Sequence, residues 1–404
     1  MIYPANFEEK IGFDRIREQV TALCSTPSAK AKLAEEGFST SADEIERRLS
    51  LMNEMRSLLM LERDFPDGDY PDPAPLVAKI RVEGSYLLAA EADQLRKALV
   101  TVGAIAEFIL GRGGAHYPRL WELSRRVTLF PEIVRAIDAI LDDRGEVKDS
   151  ASPELQQVRR AIREREGQAA KRLQQVLQRA KQAGIVDADA VLSVRDGRPV
   201  IPVAAANKRK LQGFIHDESA TGRTFYVEPV EVVEINNELK ELEYAERREV
   251  VKVLSAFTES IRLDAEAIAD AGDYLSSVDM IRAKARWALA NDAGKPILST
   301  DDRLELRTAR HPLLQQTLRA QGREVVPLDL ALDRRKHILV ISGPNAGGKS
   351  VCLKTTGLMQ YLFQCGYPVP ASEVSELPVF RSIFIDIGDE QSIDDDLSTY
   401  SSHL

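Results

Sequence analysis

Eight consecutive residues late in this 404-residue chain have the types and spacing to hold a phosphate: Gly343, Pro344, Asn345, Ala346, Gly347, Gly348, Lys349 and Ser350. They satisfy G-x-x-x-x-G-K-[ST] at every position. Glycines let the backbone turn so that its N–H groups converge on an anion. A helix starting near Lys349 adds the positive end of its dipole at the same point. In such a loop the lysine ammonium reaches the β- and γ-phosphates of a nucleotide, and the serine hydroxyl ligates Mg²⁺. The flanks agree with this reading. His337–Ser342 reads as a buried strand, and the pattern from Lys349 to about Cys365 reads as an amphipathic helix.

Other chemistry-bearing residues are less decisive. "SIFIDIGDEQSI" places Asp386, Asp389 and Glu390 after an apolar run. On pattern alone this could be a Walker B strand with its acid, although it follows the phosphate loop closely. These carboxylates could also position water or Mg²⁺. Residues 193–224 hold Arg195, Arg198, Lys208, Arg209, Lys210 and Arg223 against Asp196, Asp217 and Glu218. That is either a phosphate-contacting patch or a set of solvated loops. His216 in "FIHDES" and His311 in "ARHP" read as structural. Cys24, Cys352 and Cys365 share no zinc-like spacing. An odd number of dispersed thiols predicts reduced cysteines and a cytoplasmic setting.

These residues need elements to place them. Residues 1–153 read as a helical core, with apolar positions at Phe13, Ile16, Val20 and Leu23 and again at Ile45, Leu49, Met52, Met55 and Leu59. A breaker-rich loop interrupts it at Pro66–Pro75. Residues 154–185 form the clearest long helix, with a near-heptad stripe and, over 155–181, eight Lys/Arg against two Glu. That excess reads either as a solvated face or as a basic rod beside a phosphate backbone. Residues 186–232 turn to alternating, β-branched and Gly/Pro-rich sequence, a unit of three or four short strands. A second long helix returns within 233–295, with Ile235, Leu239, Leu242, Ala245 and Val250 on its stripe. The result is an antiparallel hairpin with a β-rich tip, its arm about 40 Å long for ~27 residues at ~1.5 Å each. Residues 296–404 begin an α/β domain, with strands expected in "RLELRTARHPLL" and "EVVPLDLAL" before the loop.

Composition sets the outer bounds. The chain is 44% apolar and 29% charged, with 6% aromatics and a net charge of −9, so any nucleic-acid contact must come from a local patch. The N-terminal residues lack a basic, then apolar, signal pattern. No apolar run is long enough to span a membrane.

Several segments together resemble one family. "VISGPNAGGKSVCLKTTGLMQYLFQCGYPVPASE", "IFIDIGDEQSIDDDLSTYSSHL", "ARHPLL" and "VRDGRPVIPV…GFIHDESATGRTFYVEP" look like the MutS family of ATPases, in its bacterial type-two branch. The resemblance covers essentially the whole chain. It implies a mixed fold: an α-helical core, long antiparallel lever helices carrying a β-rich clamp, then an incomplete ABC-type P-loop domain. It further implies ATP and Mg²⁺ at residues 343–350 and a homodimer with nucleotide between subunits. Ser398 and Thr399, with Tyr400 where the family has Phe, would reach the partner's γ-phosphate. "IGDEQSI" becomes a connector, and the true Walker B and a nuclease domain are expected beyond residue 404. The mismatch-reading domain of repair relatives is not recognisable at the N-terminus. The chain is accordingly expected to bind ATP weakly and hydrolyse it poorly.

Two functions are compatible with this resemblance. One is a clamp ATPase on branched or recombining DNA that suppresses recombination, with endonuclease activity in the intact protein. The other is a quality-control ATPase that grips rRNA on stalled or collided ribosomes and splits them. An ATP-binding scaffold without turnover is a third. The β-tip has no aromatic, sequence-reading motif, which favours backbone and shape recognition in either case.

Overall fold

The computed structural model describes residues 1–195, 197–344 and 348–387. The chain forms two compact units that interleave in sequence: one from residues 79–93 and 132–263, the other from 1–78, 94–131 and 264 onward.

The first of these is the hairpin. Its outgoing helix α1 (Pro153–Gln182) starts at Ser152, whose hydroxyl accepts from Leu155 N at 3.0 Å, with Pro153 in the first turn. This is a favourable N-cap, because the serine oxygen satisfies an amide that has no partner within the helix. Helix α2 (Val230–Ser260) returns. Arg159 pairs with Glu246 at 2.7 Å and Arg165 with Glu238 at 2.9 Å. Residue numbers rise on one helix as they fall on the other, so the pair is antiparallel. The expected stripe on α2 (Ile235, Leu239, Leu242, Ala245, Val250) is only half-buried. In a two-helix arm each stripe has a neighbour on one side only.

Between the helices lie β1 (Ser193–Arg195), β2 (Arg198–Ala204), β3 (Gly213–Glu218) and β4 (Thr224–Pro229), ordered β1-β2-β4-β3 and antiparallel throughout. Ile201 faces Val227 across β2 and β4, and Ile215 faces Val227 across β3 and β4. Ile201, Val203 and Val227 bury against Leu173, Val176, Leu177 and Ala180 of α1. The sheet therefore sits on the second half of α1. Gly213 is required there, since a Cβ would lie 2.2 Å from the Glu228 carbonyl oxygen.

The other unit is built around the helix Ala265–Ala290, which is buried along most of Tyr274–Ala288 and exposed at both ends. It carries a buried ion pair, Arg282 with Asp279 at 2.8 Å, completed by Ser25, the Gly68 carbonyl and the Tyr70 ring. Burying a charge is tolerated only with partners of this number. Strands β5 (Ile297–Leu298), β6 (Leu304–Ala309), β7 (Leu328–Leu332) and β8 (Glu376–Leu377) make a sheet ordered β5-β8-β6-β7. Strands thus form inside both expected segments, "RLELRTARHPLL" and "EVVPLDLAL", but cover only part of each, and Pro312 already opens the helix Pro312–Ala320. Helix α3 (Lys349–Gln364) packs into the same core through Leu358, Met359, Leu362 and Phe363, all fully buried. Ile383–Phe384 pair in parallel with Ile2–Tyr3.

One expectation fails. His337–Ser342 is not a strand, and Ile338, Leu339 and Val340 are 76%, 50% and 84% exposed. A strand buried in a parallel sheet needs hydrogen-bonded neighbours and cover on both faces. No strand among the described residues pairs with this segment. No helix among the described residues is long and apolar enough to cross a membrane.

Candidate nucleotide-binding loop and charged tip

The loop is built by its glycine and its helix. Gly348 has φ +78° and ψ 16° and caps α3. This left-handed conformation costs a side chain but not glycine. Cys352 N bonds Gly348 O at 3.0 Å, closing the first turn. The amides of Lys349, Ser350 and Val351 precede that bond, so helix geometry leaves them without intrahelical acceptors, at the positive end of a 16-residue helix. Lys349 Nζ donates to Gly343 O at 2.6 Å and Pro344 O at 2.7 Å. The ammonium is thereby held across the loop by its own carbonyls. Gly348, Lys349 and Ser350 together fit a phosphate-bearing ligand: a close-approach backbone, a cation and a hydroxyl. Asn345, Ala346 and Gly347 lie outside the described residues, as do Asp389, Glu390, Ser398, Thr399 and Tyr400.

The far end of helix α3 is tied into the core. Gln364 Nε2 donates to the carbonyls of Ser39 (2.9 Å) and Phe380 (2.8 Å), and the Tyr361 hydroxyl to Glu8 at 2.6 Å. Near it, His311 is fully buried, and neither ring nitrogen has a hydrogen-bond partner among the described residues. Burial pushes its pKa down to about 4; the Ile11 backbone opposes this, and the cations Lys354 and Arg15 reinforce it. His311 is therefore a neutral packing residue at the start of the helix Pro312–Ala320, as its sequence context predicts.

In the tip, the six basic residues separate into two groups. Arg195 pairs with Asp217 at 2.9 Å and lies 3.8 Å above the Tyr226 ring. Arg198 donates two bonds to Glu228, both 2.9 Å, and one to Asn237. These two hold the sheet together. Lys208 lies 4.4 Å over the Phe225 ring, while Arg209, Lys210 and Arg223 are exposed.

Glu228 is the residue sequence reading missed. It is 1% exposed and accepts from Arg198, His216 (2.5 Å) and Asn236 (2.6 Å). Burial alone would raise its pKa. The bonds from Asn236, His216 and Arg198 outweigh that and hold it below the usual carboxylate range. The only advance signal was an acid in a β-branched, aromatic run, which by pattern would point outward.

Residues 339–404 match MutS domain V. The chain is 34% identical over 394 residues to the Endonuclease MutS2 of Bacillus velezensis, covering 97% of this chain and 49% of that protein. It is 36% identical over 405 residues to the Endonuclease MutS2 of Thermomicrobium roseum, covering 97% and 50%, and 35% identical over 396 residues to that of Pelotomaculum thermopropionicum, covering 98% and 49%. The chain spans about half the length of the curated relatives it matches. A phosphate-type loop, a helical hairpin with a β-tip and this near full-length similarity converge, and the chain belongs to the MutS family, in the branch of the MutS2 proteins.

Proposed function

We propose that this chain is the nucleotide-binding, DNA-contacting half of a dimeric MutS-type ATPase acting on branched or recombining DNA and thereby limiting recombination. The observation that carries the reading is the loop at α3: Lys349 anchored to Gly343 and Pro344 beside the left-handed Gly348. Gly348 lets the backbone come close to phosphate oxygens, Lys349 offsets their charge, and the Ser350 hydroxyl offers an oxygen to Mg²⁺. Bound Mg-ATP would supply the phosphoanhydride whose turnover drives opening and closure. Nuclease action, from the relatives' name, would belong to the part of the full-length protein outside the matched half.

Titration with a fluorescent ATP analogue and Mg²⁺, beside Lys349→Ala, tests the loop. Loss of at least tenfold in affinity is expected, the scale of one charged contact at about 1.4 kcal/mol. A four-way DNA junction and collided ribosomes, each with and without ATP, test the target. Equal nucleotide binding by Lys349→Ala would overturn the loop assignment. ATP-dependent preference for ribosomes would replace DNA with rRNA as the target.

A further inference from the structure

Resting on the DNA reading above, we infer that the backbone-gripping surface of this chain is the outer face of the second half of α1, centred on Lys171, Arg172 and Arg179, and that its occupant is duplex DNA. Arg195 and Arg198 are engaged within the tip.

The two halves of α1 differ in how their charges are used. In the first half Arg159 and Arg165 pair with Glu246 and Glu238 of α2, Arg163 with Asp149, and Arg160 with Glu164. Those cations are neutralised inside the unit. From Gly167 to Val186 there is no Asp or Glu at all. Lys181 Nζ donates to Ala188 O, but Lys171, Arg172 and Arg179 are exposed and have no ion-pair or hydrogen-bond partner among the described residues. The exposed carboxylates of Glu231 and Glu234 on α2 are paired with none of them.

Helical spacing puts these three within about 100° of one another on the exposed side of the helix. Leu173, Val176, Leu177 and Ala180 are buried beneath the sheet. At ~100° per residue (3.6 per turn), Lys171 falls opposite that buried stripe, while Arg172 and Arg179 fall about 20° apart from each other on one flank of it, all three among exposed glutamines. Lys171 to Arg179 spans about 12 Å of helix, the axial length of three to four phosphates of one strand at ~3.4 Å each. A cationic stretch of that length, with no acid among its own residues on α1, complements a phosphate backbone. No aromatic residue lies between Gly167 and Val186, so the face lacks the stacking platforms that single-strand binding relies on. Glutamines can both donate and accept, which suits sugar–phosphate contacts without a sequence code.

The test uses the full chain, a fluorescent duplex of about 30 base pairs, and anisotropy across a salt series. Lys171→Gln, Arg172→Gln and Arg179→Gln combined should flatten the log K against log salt slope by 2 to 3, at about 0.9 per phosphate contact, and weaken binding at least tenfold near 0.1 M salt. Arg195→Gln should leave the slope unchanged. Far-UV circular dichroism and thermal unfolding should match wild type, because the replaced side chains are exposed. Wild-type affinity and slope in the triple variant, with wild-type DNA binding intact, would overturn the inference and leave the DNA reading standing. Absence of duplex binding by wild type at any salt would remove both. Tighter binding to an RNA duplex, lost in the same variant, would overturn the choice of DNA.

Discussion

The two flanks of the glycine loop carry similar apolar residues and meet opposite fates. Downstream, α3 buries Leu358, Met359, Leu362 and Phe363 completely, and the Tyr361 ring packs against Phe7, Phe13 and Phe38 at 5.1, 4.9 and 5.7 Å. Upstream, Ile338, Leu339 and Val340 face solvent. The difference lies in the backbone. A helix closes its own hydrogen bonds and needs only an apolar surface to lie on, and the N-terminal helices supply one. A strand must borrow its hydrogen bonds from another strand, so its side chains can be buried only where that partner exists.

The sharpest break of this contrast is Phe363→Ala. A fully buried phenylalanine replaced by alanine should cost about 3–5 kcal/mol, lost transfer energy plus a cavity. Denaturant unfolding of the chain measures it. A cost below about 1 kcal/mol would mean that the downstream flank is as loosely held as the upstream one.

His311, close to Lys354 of α3, offers a pH handle on the same flank. Its folded pKa is lowered from 6.5 to about 4. The unfolded chain therefore takes the proton first. Stability is complete above about pH 6.5 and falls as pH drops toward 4, by up to about 3 kcal/mol at ~1.4 kcal/mol per unit. Unfolding free energy measured from pH 7 to 4 should decline less steeply in His311→Asn. Parallel curves for the two proteins would show that this histidine is not buried neutral.

How much of this was legible in advance follows the same divide. The loop is local: eight contiguous residues spell it, and the helix behind it follows from its period. The tip's strands were marked by β-branched runs between glycines, and the hairpin by two long apolar stripes. What the sequence withheld depends on partners distant along the chain. Arg195 and Asp217 are 22 residues apart, Arg198 and Glu228 are 30 apart, and no spacing rule connects them. The same holds for α1: a whole-helix charge count merged a neutralised half with an acid-free one, because Glu238 and Glu246 lie on another helix. The strand at 337–342 was misread for the corresponding reason, since apolar character specifies burial only where a neighbour is supplied.

At the junction between the flanks, Gly348→Ala isolates the backbone term. Among the described residues nothing lies within 4 Å of the added Cβ, and φ is +78°, so the substitution brings conformational strain rather than a clash with them. The expected cost is about 1–2 kcal/mol, read by thermal unfolding. No measurable change would mean that the left-handed turn is not held in solution.

The smallest expected effect is on the upstream flank. Val340 is 84% exposed, so Val340→Ser removes almost no buried surface and should change stability by no more than about 0.5 kcal/mol. The same substitution in a buried strand would lose most of a valine's burial, about 1.5–3 kcal/mol, and leave a hydroxyl without a partner. Equilibrium unfolding distinguishes the two. A cost in the larger range would show that residues 337–342 are paired and covered in solution, and the contrast between the flanks would disappear. A cost within the smaller range, measured beside Phe363→Ala, would show that the loop is anchored from its helix side alone.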